Sequence, residues 1–384
     1  LRFIHTADWH LGRLFHGQHL TQDQAYVLEQ FHTVVRESGA QAVLIAGDVY
    51  DRAVPPTEAV ALLDETLARL LLEDKVQVIL TAGNHDSAER LGFASRLLEA
   101  QGLFVRGQLS ADLTPVVLED DFGPVYFQPF TYAEPALVRA VFGCTEIQDF
   151  DSAMGYLVAA GLRQIPANSR RVALAHAFIA GGSETESERP LSVGGSSNVS
   201  AAHFKPFHYT ALGHLHNPQT AGNENIRYSG SLLKYSFDEA GQKKGIYIVD
   251  LDEKGAVSIE KIGLQPKRDV QRIKGFFDEI RCNRQKYPES EDYTLVELLD
   301  TQAILDVHGQ LEKIYPNLMQ IERPNLNIGG TLREERLDYR SKSEVELFGD
   351  FFRQMTDERL DEKQKALFAR TVDELVASQR EVKI

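Results

Sequence analysis

The sequence predicts an α/β fold followed by a small second α/β module and a helical tail. Two observations carry this. Apolar, strand-like runs alternate with helical segments over the first two-thirds of the chain, as parallel βαβ units do. Several of those runs also end abruptly in short clusters of Asp, Asn and His. Ligands of open α/β sheets gather at such carboxyl ends of strands.

Taken in order, "RFIHTAD" predicts a strand and Leu20 to Glu37 a helix. "AVLIAGD" is a strand, Thr57 to Leu72 a helix, "VQVILTAG" a strand, and Glu89 to Gln101 a helix. "VYFQPF", "RVALAHAF", "YTALGHLH", "IRYSGS" and "GIYIVDL" continue the strands. Their nearly unbroken apolar character fits strands covered on both faces. The Gly- and Ser-rich stretch 180–198 predicts a long surface loop. Past Leu264 the pattern tightens. "RDVQRIKG", Phe276 to Gln285, "DYTLVELLD", Ala303 to Tyr315 and "LMQIER" read βαβαβ. That places a module at 266–324, after a domain at 1–265. "PNLNIGG" opens a linker into 325–384, where two helices are expected. Val345, Leu347, Phe348, Phe351, Phe352 and Met355 form one apolar stripe. Leu360, Leu367, Phe368, Val372, Leu375 and Val376 form the other.

Composition narrows the function. The chain has 384 residues, with 43% hydrophobic and 25% charged, as in ordinary globular proteins. No apolar run has the length of a membrane span, and the first residues read as a strand, so no leader is expected. There are two cysteines, Cys144 and Cys282. Their distance in sequence argues against a disulfide framework or thiolate zinc site and for a reducing cytoplasm. The net charge of −15 excludes a protein coated in positive charge. It leaves room for a nucleic-acid substrate held through bound cations, a local basic groove or a basic partner.

Five polar clusters follow strand-like runs: Asp8-Trp9-His10, Gly47-Asp48, Gly83-Asn84-His85-Asp86, His176, and Gly213-His214-Leu215-His216. Singly, each has a plain reading. Gly-Asp is a common turn, a lone His is a hydrogen-bonded core residue, and Asp86 or Ser87 can cap the following helix. Five in succession, each after a strand, point to one site. Imidazole, carboxylate and amide oxygen together suit manganese, iron or zinc. Asp8 and His10 are two apart, and in an extended segment they point the same way. A carboxylate can bridge two cations, and Asp48 is the natural bridge. Two cations ~3.5–4 Å apart clamp the attacking and leaving oxygens of a phosphoryl displacement.

The constellation D-x-H, G-D-x-x-D, G-N-H-D, H, G-H-x-H resembles the calcineurin-like metallophosphoesterases. "HTADWHLG", "AGDVYD", "AGNHDS", "ESERPLSVGG", "LGHLH" and "YSGSLLKYSF" narrow the likeness to the SbcD-type nuclease branch, which acts in DNA double-strand-break repair. The likeness covers nearly the whole chain. It implies a two-sheet sandwich flanked by helices, then a capping domain, and a manganese-dependent DNA nuclease working with a long coiled-coil ATPase. It also implies that Asp8, His10, Asp48 and His216 hold one metal, and Asp48, Asn84, His176 and His214 the other. His85 is then free to protonate the leaving oxygen, and Asp86 orients His85 or caps a helix. Archaeal relatives carry a second imidazole where Asp51 stands, which leaves Asp51 a supporting role.

Arg13, Arg52 and Arg90 follow three of the motifs and are candidate DNA contacts; Lys267 and Arg268 are others. By the same likeness the tail grips the coiled-coil ATPase and the chain forms a homodimer within a heterotetramer. The likeness further implies that it digests double strands 3′ to 5′ and cuts single strands and hairpins. Two rivals stand beside this reading: a small-molecule phosphatase or cyclic phosphodiesterase, and a scaffold whose main task is to hold the ATPase.

Overall fold

The computed structural model describes residues 1–188, 197–326, 347–349, 352–353 and 359–381. The chain divides into two compact units, Leu1–Arg189 with Asn198–Ile328 and Pro190–Ser197 with Gly329–Ile384.

The first unit begins with β1 (Arg2–Thr6), a short hairpin of β2 (Leu14–Phe15) and β3 (Gln18–His19), and α1 (Thr21–Ser38). It continues through β4 (Ala42–Ala46), α2 (Thr57–Ala68), β5 (Gln77–Thr81), α3 (Ala88–Leu91), α4 (Ser95–Leu98) and β6 (Leu103–Arg106). Then come β7 (Val116–Asp120), β8 (Gly123–Phe130), α5 (Pro135–Phe142), α6 (Phe150–Leu162), β9 (Arg170–His176) and β10 (Tyr209–Gly213). β11 (Gln219–Ala221), β12 (Asn223–Tyr228), β13 (Gly245–Leu251) and β14 (Val257–Gly263) complete two sheets. Their orders are β14-β13-β1-β4-β5-β6 and β11-β12-β10-β9-β8-β7. Each has four neighbouring parallel strands; the antiparallel strands are β13 and β14 at one margin of the first sheet and β7 and β11 at the two margins of the second.

The sheets pack face to face as a sandwich. Alternate residues of one strand sort into different cores, as the period of two requires. Phe3, Leu44 and Ile79 meet Phe127, Leu174 and Tyr209 between the sheets. Ile4, Val43, Ile45 and Leu80 instead face Val27, Phe31 and Leu63 of α1 and α2. On the far side, Ala173 and Leu212 pack with Met154, Leu157 and Val158 of α6. Burial on both faces explains the apolar runs in the sequence.

Some elements differ from expectation. The helix expected at 89–101 is broken, because Ala94 takes a left-handed φ of 59° between two four-residue helices. The helix from Thr57 passes into a wider π turn over Arg69–Glu73. α5, α6 and the edge strands β6, β7, β11 and β14 were not anticipated.

The small module is β15 (Val270–Gly275), α7 (Phe277–Cys282), β16 (Tyr293–Leu298), α8 (Val307–Leu311) and β17 (Leu318–Glu322), an all-parallel sheet in that strand order. Ile273, Phe277, Ile280, Leu311 and Tyr315 form its own core, while Val270, Tyr293 and Leu295 join the core under α1. Arg268 is spent on this junction. It pairs with the buried Asp23 carboxylate at 3.1 Å, which also accepts the Tyr293 hydroxyl at 3.0 Å. Arg268, one of the candidate DNA contacts, thus fastens the module to α1.

In the second unit α9 (Glu362–Glu381) is the main element. Phe348 stacks on Phe368 with centroids 4.0 Å apart, and Leu360 is buried. Val345, Phe351 and Met355, and the side chains of Val372, Leu375 and Val376, lie outside the described residues.

Candidate metal centre

All five polar clusters meet at one end of the sandwich. Asp8 and His10 follow β1, Asp48 follows β4, and Asn84 and His85 follow β5, all from the first sheet. His176 ends β9, and His214 and His216 follow β10, from the second. Asp8, His10, Asp48, His176, His214 and His216 are each at most 2% exposed. Six polar side chains buried together need a compensating partner.

The backbone bends to bring them together. Asp8, His10, Asp48 and His214 have φ of 53°, 45°, 47° and 107°, a region that costs non-glycine residues free energy. Asp8 and His10 thus converge through a turn, not through the extended segment expected. Backbone bonds hold the turn: Asp8 N–H donates to the Gly47 carbonyl (3.1 Å) and His10 N–H to that of Asp48 (2.9 Å). The glycines of the motifs leave room for the ligands. A Cβ on Gly83 would stand 2.1 Å from Asp48 Oδ1. One on Gly213 would stand 1.7 Å from the Ala46 carbonyl oxygen.

Donor atoms then face one another in a way that protein atoms alone do not satisfy. His176 Nδ1–H donates to the Ala46 carbonyl (3.0 Å), so its Nε2 faces Asn84 Oδ1 at 2.9 Å and Asp48 Oδ2 at 3.4 Å. His10 Nε2 faces His216 Nε2 at 3.0 Å and Asp48 Oδ2 at 3.7 Å. Asp8 Oδ2 and His214 Nε2 are buried and have no hydrogen-bond partner among the described residues. Asp48 lies between the two groups. Lone pairs converging at these distances need a proton or a cation between them. The donor set is oxygen and imidazole nitrogen without sulfur, which fits divalent manganese, iron or zinc. Asp8, Asp48 and His176 lie close enough to share one ion, as do His10, Asp51 and His85.

The electrostatics agree. Burial pushes the Asp8 carboxyl up to about 7 against the pull of His176 and His216, with Asp48 adding to the rise. Burial also opposes charge on Asp48, but His176, His10 and His85 outweigh it and hold that carboxyl well below its usual range. Burial would lower His176, yet Asp48 and Asp8 raise it to about 9. Burial drives His10 and His214 well below the ordinary imidazole value.

His85 is half-buried beside this group, its ring 4.7 Å from that of His10. Its N–H donates to Asp48 Oδ1 (2.9 Å), and its Nδ1–H donates to the Asp51 carbonyl (2.8 Å). A carbonyl only accepts, so Nε2 is the atom left to exchange protons. The Asp51 carboxylate binds Arg13 at 2.8 Å and lies 3.7 Å from His10 Nδ1.

The expectation for Asp86 is corrected. Its carboxylate neither orients His85 nor caps a helix; Ser87 is the cap. It accepts the N–H groups of Val49 (3.1 Å), Tyr50 (2.9 Å) and Gly83 (2.9 Å), fastening the turn after β4 to the turn after β5. Arg13 is held at the site by Asp51 and by the Tyr235 ring, 5.6 Å away. Arg52 and Arg90 are exposed, as is Lys267.

Sequence reasoning missed the wall behind His216. Ser187, Glu188, Glu239 and Lys244 reach it from two distant segments. Tyr235 packs 5.5 Å from His10 and 5.7 Å from His216, and its hydroxyl donates to the Trp9 carbonyl. Gln24 donates to the carbonyls of Trp9 and His10. The only signal in the sequence was the likeness carried by "ESERPLSVGG" and "YSGSLLKYSF".

Residues 1–218 match the family model of the calcineurin-like phosphoesterases, and residues 266–356 match that of the type 5 capsule protein repressor C-terminal domain. The chain is 32% identical over 364 residues to the SbcD subunit of the SbcCD nuclease of Staphylococcus epidermidis, covering 95% of this chain and 96% of that one. Among solved structures, a dimetal phosphatase from Danio rerio aligns at 13% identity and TM-score 0.42, over 68% of this chain and 96% of that one. The protein TT1561 of Thermus thermophilus aligns at 13% identity and TM-score 0.39, over 68% and 98%.

Proposed function

We propose, on the premise that the chain belongs to the calcineurin-like phosphoesterases and to their SbcD branch, that it is the metal-dependent nuclease subunit of an SbcCD-type complex, hydrolysing DNA phosphodiester bonds. One observation carries the chemistry. Lone pairs from both sheets converge on either side of Asp48 and leave Asp8 Oδ2 and His214 Nε2 unpartnered among the described residues.

In this reading Asp8, His10, Asp48 and His216 hold one cation, and Asp48, Asn84, His176 and His214 the other, both of them manganese. Paired divalent cations, when bound, acidify water and neutralise charge on a transferring phosphoryl group. The chain's own residues supply the rest. The Asp51 carbonyl keeps the His85 Nδ1 proton, so a protonated His85 gives up its Nε2 proton to the departing oxygen, general acid catalysis worth ~10²–10⁴-fold. We assign phosphate contacts to Arg13, which is braced by Asp51, and to the exposed Arg52 and Arg90.

Finer points rest on the same family membership. We assign 3′-to-5′ exonuclease action on double strands and endonuclease action on single strands and hairpins. The domains are 1–265, 266–324 and 325–384, the last binding the SbcC coiled-coil ATPase. The protein works in the cytoplasm as a homodimer within a heterotetramer. No described helix is long and apolar enough to cross a membrane.

The test is to incubate the purified chain with manganese and compare a hairpin duplex with a phenyl phosphate ester. Cleavage of the hairpin with little hydrolysis of the ester supports the nuclease. The reverse supports a small-molecule phosphatase, and neither would favour a scaffold.

A further inference from the structure

His216 is the ligand candidate with the most elaborate support. Its ring Nδ1 lies 2.6 Å from Ser187 Oγ, and its N–H donates to Glu188 Oε1 at 2.8 Å. Ser187 Oγ is also hydrogen-bonded to Glu239 Oε1. Glu239 Oε2 is paired with Lys244 Nζ at 2.5 Å. Lys244 Nζ reaches the His216 carbonyl (2.7 Å), Ser231 Oγ (2.9 Å) and Gln242 Oε1 (2.7 Å). Glu239 and Lys244 are buried, at 0% and 6% exposure.

Counting protons fixes the direction of this chain. A carboxylate paired with an ammonium accepts only, so the single Ser187 hydroxyl proton goes to Glu239. Ser187 Oγ must then accept from His216, whose Nδ1 therefore carries hydrogen. The Nε2 lone pair is left facing His10 Nε2, 3.0 Å away. Ring nitrogens that ligate metals are commonly set by such a bond from the other nitrogen.

We propose that Ser187 and Glu239 are positioning residues for His216: Glu239 takes the Ser187 proton, Ser187 takes the His216 Nδ1 proton, and the Nε2 lone pair is thereby aimed at the cation site. The segment before the 189–196 stretch is so tied to the metal centre. Thr185 Oγ1 donates to Glu188 Oε2 (2.6 Å), and the neck of the loop is closed by Ala180 N–H to the Val199 carbonyl (2.9 Å). The inference rests on the proposed cation-dependent reading, and it gives the sequence "ESER" a task that neither cleavage nor partner binding had assigned.

The experiment uses the full chain freed of divalent cations with EDTA. Long-range ¹⁵N–¹H spectra of the imidazoles, with His216 assigned by its loss in His216→Gln, should show hydrogen on Nδ1 in the wild type. A wild-type His216 with its hydrogen on Nε2 overturns the proposal without any positioning variant. Calorimetry with manganese chloride should show Ser187→Ala weakening one of two cations ~10–100-fold, with Tm near wild type, and Ser187→Thr restoring it. A lowered Tm with unchanged manganese affinity would make Ser187 merely structural and overturn the role. None of these readouts needs DNA. If they hold while no DNA is cut, the nuclease reading fails alone. If DNA is cut while Ser187→Ala binds manganese as the wild type does, the positioning role fails alone.

Discussion

On the first sheet the ligand-bearing turns are held by main chain. Asp8 and His10 donate their N–H groups to the turn after β4, and Asp86 gathers three more N–H groups from the turns after β4 and β5. On the second sheet His176 still bonds to a main-chain carbonyl, that of Ala46, but His216 leans on side chains from far away in sequence. His216 depends on Ser187 and Glu239, 29 and 23 residues distant. The parallel strands explain the difference. β1, β4 and β5 are sequential or adjacent neighbours, so their carboxyl-end turns lie within backbone reach. β10 instead meets β12, the next strand toward the sheet's margin, and the space behind His216 must be filled by incoming loops. Main-chain bonds survive most substitutions, whereas bracing that passes through a side chain, Asp86 on the first sheet or Ser187 on the second, is lost with that one group.

Asp48→Ala should have the largest effect, because Asp48 lies where both groups of donors meet. Calorimetry should find neither cation bound. Cleavage should fall to background, beyond the ~10²–10³-fold cost of losing one transition-state donor. Asp8→Ala should mainly weaken one cation. Two cations at normal affinity in Asp48→Ala would remove the bridge.

His85→Asn should keep both cations, by anomalous scattering, and lose cleavage by ~10²–10⁴-fold. Loss of the cations would make His85 part of the metal centre and break the division of labour within the first sheet.

Asp86→Ala sharpens the contrast between the sheets. It strands three backbone N–H groups, at ~1–3 kcal/mol for each left buried and unsatisfied, so urea unfolding should show a clear loss of stability. Ser187→Ala should show little. Equal losses would mean that the two sheets are braced alike.

Deleting Ser341 to Ile384 should change the chemistry least, since every proposed ligand precedes Tyr228. Manganese-dependent cleavage of simple DNA should persist while co-purification with the coiled-coil ATPase is lost. A truncated chain that still captured the ATPase would place that contact elsewhere.

Much of this protein was legible in its sequence. Apolar runs marked β1, β4, β5, β8, β9, β10 and β13, because strands buried on both faces must be apolar along their length. The polar clusters that end five of the runs marked the crevice, because buried Asp, Asn and His need a purpose. The helices α5 and α6 and the edge strands were missed because their patterns are weaker. The break at Ala94 was missed because helical spacing says nothing of a left-handed residue.

The tertiary structure alone decided how those residues work. It turned Asp8 and His10 by positive φ, made Asp86 a fastener of two turns, and spent Arg268 on Asp23. It also set which nitrogen of His85, His176 and His216 carries hydrogen, through a carbonyl, a carbonyl and a serine. Periodicity and strand ends are local, so the chain spells them out within a few residues. A tautomer is fixed by whatever lies beyond the ring, and that partner is brought there by folding across tens to more than a hundred residues of sequence.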